Sequence, residues 1–336
     1  MWGCRKQPQS ALDAKHLVMM LGKALKKERE QWKPRVFRKT TTIEEVCEEH
    51  RNEAVLWLRN LNQHFQFSSE SLGLAIAIFD QFLQLVKVRP KYLRCIAISC
   101  YYLAAKTLEE DEVIPSTTDL VRGSQSGCTV AEVCRMERLV LDKLNWNINF
   151  VTSVDFLHMI HVIMMKNNPH LLDGLSSMTP SQHISILRSK LIICLGHGSL
   201  MLFPPALLAL ALISLELEQF TSIWFPTIVS LQKMVQVDSK HLIHCREQVA
   251  QCLASKNHLQ TSYRFSSLTR PKVKSNKRKV DLMAEEVDEI YDSIKRLYSE
   301  ETVEEVLVNV RPSCSSEARQ DPEEMSFAQI QAVSAT

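Results

Sequence analysis

The chain has 336 residues with only 8 glycines, and 40 Lys and Arg stand against 38 Asp and Glu for a formal net charge of +2. Average usage of about 7% would give roughly 24 glycines, so folds rich in tight turns or phosphate-cradling loops are disfavoured, and neither GxGxxG nor GxxxxGK occurs. The near-neutral balance supplies no global field for nucleic acid, a membrane surface or an acidic substrate, so neither nucleic acid nor membrane is expected as a partner.

Leu17, Met20, Leu21, Ala24 and Leu25 recur at helical spacing and predict an amphipathic helix whose charged continuation closes at Pro34. Thr42, ahead of Glu44 and Glu45, reads as the hydroxyl cap and acidic first turn of the next helix. Five apolar helical segments follow: one through Trp57 and Leu61, then 69–86, 91–108, 116–121 and 129–144. They are broken at Pro90, at Pro115 and at the turn holding Gly123 and Gly127. The third segment, YLRCIAISCYYLAAK, is apolar nearly all round, which predicts the middle of a bundle.

A second run of helices has cleaner starts. Thr152 with Asp155 predicts a capping box, and Thr179, Pro180 and Gln182 supply a cap, a first-position proline and an N3 glutamine. Pro205, Pro226 and Asp238 open three more helices, the last ending near Ala254. The longest apolar stretch, 206–213, is too short to cross a bilayer, and the N-terminal residues lack the apolar core of a secretory signal. A soluble intracellular protein is expected. Its ten cysteines form no CxxC pair and read as free thiols packed like small hydrophobes.

Beyond Ser255 the composition turns polar. The run 270–279, RPKVKSNKRK, makes Lys272, Lys274, Lys277, Arg278 and Lys279 a candidate nuclear localisation signal, so nucleus and cytoplasm are the expected locations. Met283, Val287, Ile290, Ile294 and Leu297 then repeat at helical spacing on an acidic background, a lone amphipathic helix suited to a further protein partner. The last stretch, rich in Ser, Glu and Pro, is expected to be disordered.

Catalytic constellations are absent from the pattern. His158 and His161, like His241 and His244, stand three apart, but no third ligand is evident and HExxH is missing. The acidic neighbours Glu109 and Glu110 are adjacent rather than facing, and no GxSxG occurs. No catalytic residue, metal or cofactor is expected.

Four motifs in order carry a family resemblance. RNEAVLWL at 51–58 is followed by Asp80 in LAIAIFDQFLQLVKV, then by YLRCIAISCYYLAAKTLEEDEVIPS and by RMERLVLDKLNWNINFVTSVDFL. Together they resemble the cyclin box, and the tail segment KRKVDLMAEEVDEIYDSIKRLYSEE resembles the cyclin I branch of that family. The resemblance implies an all-α chain of two tandem five-helix cyclin boxes, at 42–148 and 149–255. An N-terminal helix and linker at 1–41 would precede them, and a partly disordered tail at 256–336 would follow.

The resemblance also implies a regulatory subunit, not an enzyme: a cyclin docks on a cyclin-dependent protein kinase and biases it toward its active state by differential contact energy. Lys106 and Glu137 match the lysine and glutamate that grip the kinase helix from two different helices. Leu103, Leu141, Trp146 and Ile148 match the apolar kinase-binding positions around them. Arg51 and Asp80 match the family's buried structural ion pair. Two departures stand out. Thr107 occupies a position usually bulkier in kinase-activating members, and the first-helix stripe that docks substrates reads His50, Glu53, Ala54 and Trp57. The alternatives are a cyclin-fold scaffold and a transcription adaptor, neither of which activates a kinase.

Overall fold

Short polar side chains set where most helices begin. Ser68, Ser116, Thr129, Thr152, Thr179 and Asp238 each accept a hydrogen bond from a backbone N–H of the following turn, satisfying donors that have no intrahelical partner. At three of these starts Glu132, Asp155 or Gln182 reaches back to the cap residue's N–H at 2.6, 2.8 or 2.9 Å, closing a reciprocal box.

The computed structural model describes residues 9–34, 46–172, 178–221 and 224–255, with side chains from residue 15 onward. Thr42, the basic run 270–279 and the amphipathic segment 281–305 lie outside the described residues. The helices are α1 (Gln9–Gln31), α2 (Glu48–Phe65), α3 (Ser69–Leu85), α4 (Leu93–Leu108), α5 (Thr117–Ser124), α6 (Val130–Lys143), α7 (Ser153–Asn167), α8 (Pro180–Leu195), α9 (Pro205–Phe220), α10 (Trp224–Val235) and α11 (Ser239–Ala254). No strand occurs among the described residues.

Two starts differ from expectation. α2 begins at Glu48 behind Cys47, whose N–H and Sγ lie 3.4 and 3.0 Å from His50 Nδ1, so Thr42 does not cap it. α10 begins at Trp224, two residues before Pro226, which therefore sits in the first turn where its missing N–H costs no intrahelical bond.

The helices form two sets of five, α2–α6 and α7–α11, with α1 in front. In the first set α4 packs against α2, α3 and α6 and is buried from Cys95 through Ala105, as its all-round apolar sequence predicts. α9 holds the same place in the second set, touching α7, α8, α10 and α11. α1 sends Leu21 and Leu25 into the second set's core, with Leu17 and Ala24 packed beside them. Met20, the remaining member of the expected stripe, is exposed, as are Val18 and Met19.

Arg51 is fully buried and joins three elements. Its Nε and Nη2 donate to Asp80 Oδ1 and Oδ2 at 2.9 and 2.8 Å, tying α2 to α3, and its Nη1 donates to the Leu195 carbonyl at 2.8 Å. Leu195 ends α8, so the guanidinium also stands at the negative end of a helix of the second set. Beside it Asn52 Oδ1 accepts the Gly198 N–H at 2.8 Å, and a Cβ on Gly198 would come within 2.6 Å of Glu48 Cγ. A methyl group there would have to displace the Glu48 side chain. Gly73 is a second such point, because a Cβ there would meet Val154 Cγ2 at 2.9 Å where α3 crosses α7.

Further polar links complete the junction. Glu70 of α3 lies 3.1 Å from His158 Nδ1, while Arg188 of α8 donates to His158 Nε2. Glu28 near the end of α1 accepts the Ala206 N–H at 2.7 Å, capping the start of α9. Burial pushes the Glu28 carboxyl up to about 7, against the lowering effect of that hydrogen bond and of Arg29.

Asp80→Asn leaves the guanidinium buried without its counter-charge, and a loss of about 3–5 kcal/mol is expected in urea unfolding. Replacing both members by apolar residues, Arg51→Met with Asp80→Leu, should recover part of that loss, the remainder being the hydrogen bond to Leu195. Glu28 gives a pH signature. Its folded pKa of about 7 lies above the ordinary 4.5, so its contribution is fully present below pH 4.5 and lost as pH rises through 7. Glu28→Gln should flatten the dependence of melting temperature on pH between about 5 and 8.

Candidate functional site

Lys106 is where α4 leaves the core: Ala104 and Ala105 are fully buried, and Lys106 is the first exposed residue of the helix after them. Its Nζ lies 2.6 Å from Glu137 Oε1 of α6 and 4.0 Å from the centre of the Tyr102 ring. The lysine side chain is 36% exposed and the glutamate side chain 10%, so the anion is sunk between helices and the cation faces outward. An ammonium has three donors, and a half-exposed pair contributes about 1 kcal/mol or less to stability. The arrangement suits contact with the polar backbone of a docked segment.

The end of α4 is fixed from two sides. Glu109 Oε1 accepts from the Ser68 N–H, Ser68 Oγ and Ser71 Oγ at 2.8, 2.8 and 2.5 Å, clasping the start of α3. Burial opposes the charge of Glu109, but the hydrogen bonds from Ser71 and Ser68 outweigh it and hold the carboxyl below its usual range. Tyr102 Oη donates to the Pro115 carbonyl at 3.0 Å, fixing the approach to α5. Thr107 is exposed, with Oγ1 donating back to the Leu103 carbonyl at 2.8 Å.

The apolar positions divide by exposure. Leu103 is buried, Leu141 and Ile148 are half-buried, and Trp146 is 68% exposed. The chain leaves α6 through two successive left-handed residues, Asn145 at φ 50° and Trp146 at φ 60°, and the Trp146 N–H donates to the Leu141 carbonyl at 2.8 Å. Asparagine tolerates this conformation, whereas a bulky residue carries a cost of roughly 1–2 kcal/mol. The turn projects the indole into solvent just beyond Leu141, which lies one turn from Glu137.

The structure thus brings Lys106 and Glu137 into contact, surrounds them with Leu103 and Leu141, and carries Trp146 and Ile148 on the segment that follows. Arg51 and Asp80 form a separate pair in the junction between the two sets. Leu108 and Val113, at 50% and 48% exposure, add apolar surface beyond Lys106 that sequence reasoning missed; the charged context of TLEEDEV hid it. The first-helix stripe offers less than its sequence implies. Ala54 and Trp57 are buried, the ring of Trp57 lies under Arg94 at 5.9 Å, and of the four only Glu53 is exposed. No group of three metal-ligating side chains occurs among the described residues. His161 pairs with His183 at 3.0 Å, and no described helix is long and apolar enough to cross a membrane.

Residues 20–149 match the model of the cyclin N-terminal domain. Human cyclin-I2 is 36% identical over 244 residues, 73% of this chain and 64% of the relative. Bovine cyclin-G1 is 35% identical over 198 residues, 59% of this chain and 65% of the relative. The chain thus spans just under two thirds of the length of these two. Human cyclin-G1 is 33% identical over 227 residues, 66% of this chain and 70% of the relative. Among solved structures, a viral cyclin from herpesvirus saimiri shares the fold, with a TM-score of 0.53 at 16% identity over 71% of this chain and 97% of that one. Motif order, two sets of five helices and relatives matched over most of their length converge: the chain belongs to the cyclin family.

Proposed function

We propose that this cyclin is a regulatory subunit that binds a cyclin-dependent protein kinase and modulates its activity, supplying no reacting group of its own. The observation that carries the reading is the Lys106–Glu137 pair, set on two helices and already in contact at 2.6 Å. A partner helix that bonds the two charges meets them in place, so little side-chain freedom is lost on docking. Trp146, Leu108 and Val113 supply exposed apolar area next to charged groups, the composition of a hot-spot region. The kinase contributes the nucleotide site, consistent with a chain that carries no phosphate loop.

A second reading is a scaffold that binds a kinase without activating it. Thr107 favours it, since its hydroxyl is committed to the Leu103 carbonyl and its single methyl offers a partner less apolar surface than a bulkier side chain would. Phosphate transfer by the purified pair separates the two readings. For location we propose the nucleus and cytoplasm, with the basic run Lys272, Lys274, Lys277, Arg278 and Lys279 as the import signal. A further protein partner is proposed for the amphipathic segment that follows it.

Replacing Lys106 and Glu137 together by Ala should weaken kinase capture at least tenfold while circular dichroism and melting temperature stay close to those of the parent, because charge-assisted hydrogen bonds contribute about 1.5–3 kcal/mol. Unchanged capture by the double variant would sink the docking assignment. Trp146→Gly separates docking from folding differently. It relieves a left-handed residue, so the melting temperature should hold or rise by about 2 °C, while kinase affinity falls with loss of the indole.

A further inference from the structure

His158 and His161 share one face of α7, and no third metal ligand joins them among the described residues. Their contacts give the pair another use. Arg188 of α8 donates to His158 Nε2 from Nε at 3.3 Å, and its Nη2 lies 2.8 Å from the same nitrogen. A guanidinium has donors only, so Nε2 is the accepting nitrogen and the ring proton is on Nδ1, which lies 3.1 Å from Glu70 Oε1. Glu70 stands in the first turn of α3, where the helix dipole favours an acid, and its Oε2 accepts from Ser69 Oγ at 2.9 Å. One neutral imidazole thus joins α7 and α8 of the second set to α3 of the first. One turn further along α7, His161 is buried and pairs with His183 of α8 at 3.0 Å.

The same turn of α3 holds the tip of α4. Ser68 and Ser71, on either side of Glu70, deliver the three donors that Glu109 Oε1 collects, one turn beyond Lys106. A continuous run of polar contacts therefore leads from Arg188 through His158 and Glu70 to the start of α3, and from there through Glu109 to the end of α4. We propose that His158 is a positioning residue for the Lys106–Glu137 pair, and that protonation of its ring releases the hold of the second set on the tip of α4. The inference rests on the kinase-docking reading above and adds to it a control by protons.

A second proton on the ring has only Nε2 to occupy, where it faces the Arg188 guanidinium. Both contacts to Arg188 are then lost, and Glu70, whose Oε1 already lies 3.8 Å from Arg188 Nη2, is left between two cations that compete for it. Its side chain can no longer serve α7 and α8 together, and the first turn of α3 loses its outer support. Glu70 from α3, Arg188 from α8 and, on α7 itself, Asp155 and His161 are the charged and titratable groups around the ring. Asp155 is engaged in the capping box with Thr152. Burial lowers His158 from its ordinary 6.5; Glu70 opposes that effect, Arg188 adds to it and Asp155 opposes it. A histidine held neutral in this way contributes fully above pH 6.5 and progressively less as pH falls below it. The hold is therefore complete at neutral pH and is lost in acid. The ring's protonation is the two-state element, and the contacts to α8 and α3 both depend on it.

The test begins with the full chain alone. Nuclear magnetic resonance of the ring nitrogens should show His158 as the Nδ1–H tautomer at pH 7.5 and give its titration midpoint below 6.5. The Ser68 and Ser71 amide hydrogens, donated to Glu109 Oε1 and Ser68 Oγ, report the grip on the α4 tip. Below the ring's midpoint they should exchange about threefold or more faster in the parent than in His158→Gln at the same pH, because the glutamine amide offers an acceptor and a donor that do not titrate. His158→Ala should show the faster exchange already at pH 7.5. With a captured kinase, the affinity of the parent should fall about threefold or more relative to His158→Gln over the same pH interval. An Nε2–H tautomer at pH 7.5, equal exchange in the parent and both variants, or an equal fall in affinity overturns the proposal. Failure to capture a kinase at any pH overturns the docking reading instead, and the amide measurement then decides the action of His158 by itself.

Discussion

The buried guanidinium of Arg51 is the interaction on which the architecture turns. It satisfies both oxygens of Asp80 and the terminal carbonyl of α8 at once, so one side chain binds α2 to α3 and the first set of helices to the second. A charge without exposure is tolerated only when its hydrogen-bonding capacity is met. Here the solvent is replaced by a carboxylate, an amide oxygen and a helix end, with Asn52 relaying the contact to the Gly198 N–H. The close approach at Gly198 and Gly73 accompanies the same constraint: the helices must come near enough for Arg51 to reach Leu195, and a methyl group would press on Val154 at Gly73 and on the Glu48 side chain at Gly198.

That junction leaves the far end of α4 to be fixed by other means, and Glu109 fixes it. The carboxylate gathers three donors from Ser68 and Ser71, so the last turn of α4 is anchored to the first turn of α3. Lys106 lies one turn before this anchor and Tyr102 one turn earlier, over whose ring the ammonium sits. The pair proposed to meet the kinase therefore rests on a helix held at its base by the core and at its tip by a charged cap. Rigidity of this kind reduces the freedom lost on binding and favours a partner segment of matching shape.

What could be read from the sequence was local. The boxes at Thr152 and Thr179 are legible because cap and partner are three residues apart, and α4 is legible as a central helix because its apolar positions cover every face. Glu109 and Glu28 were not legible, since they cap helices whose starts lie 41 and 178 residues away in the chain and each looks like an ordinary surface acid. Trp57 shows the opposite limit: its place in the first-helix stripe is legible from family position, but not that its ring packs inward under Arg94. The site shows the same division. Lys106 and Glu137 are identifiable from motif context, but the exposure of Trp146 follows from two left-handed residues after α6 that no composition signal marks, because neither is glycine.

The strain at Trp146 bears on what the exposed face is for. A tryptophan in left-handed conformation and largely in water carries two costs, backbone strain and unburied apolar surface, and neither is offset among the described residues. Such costs persist where the surrounding structure over-determines them, and they concentrate at binding and switching sites. The turn is held by the Trp146 and Asn147 N–H groups donating to the Leu141 and Leu144 carbonyls, and Asn147 is approached by Gln31 from α1. The segment that presents the indole is thus clamped by both the helix it leaves and the N-terminal helix. An aromatic side chain has only two side-chain torsions to immobilise, so a partner covering it gains apolar burial at small entropic cost. The cost carried by the described residues is therefore available to any partner that covers the indole, and the proposed kinase-binding face around Lys106 lies beside it.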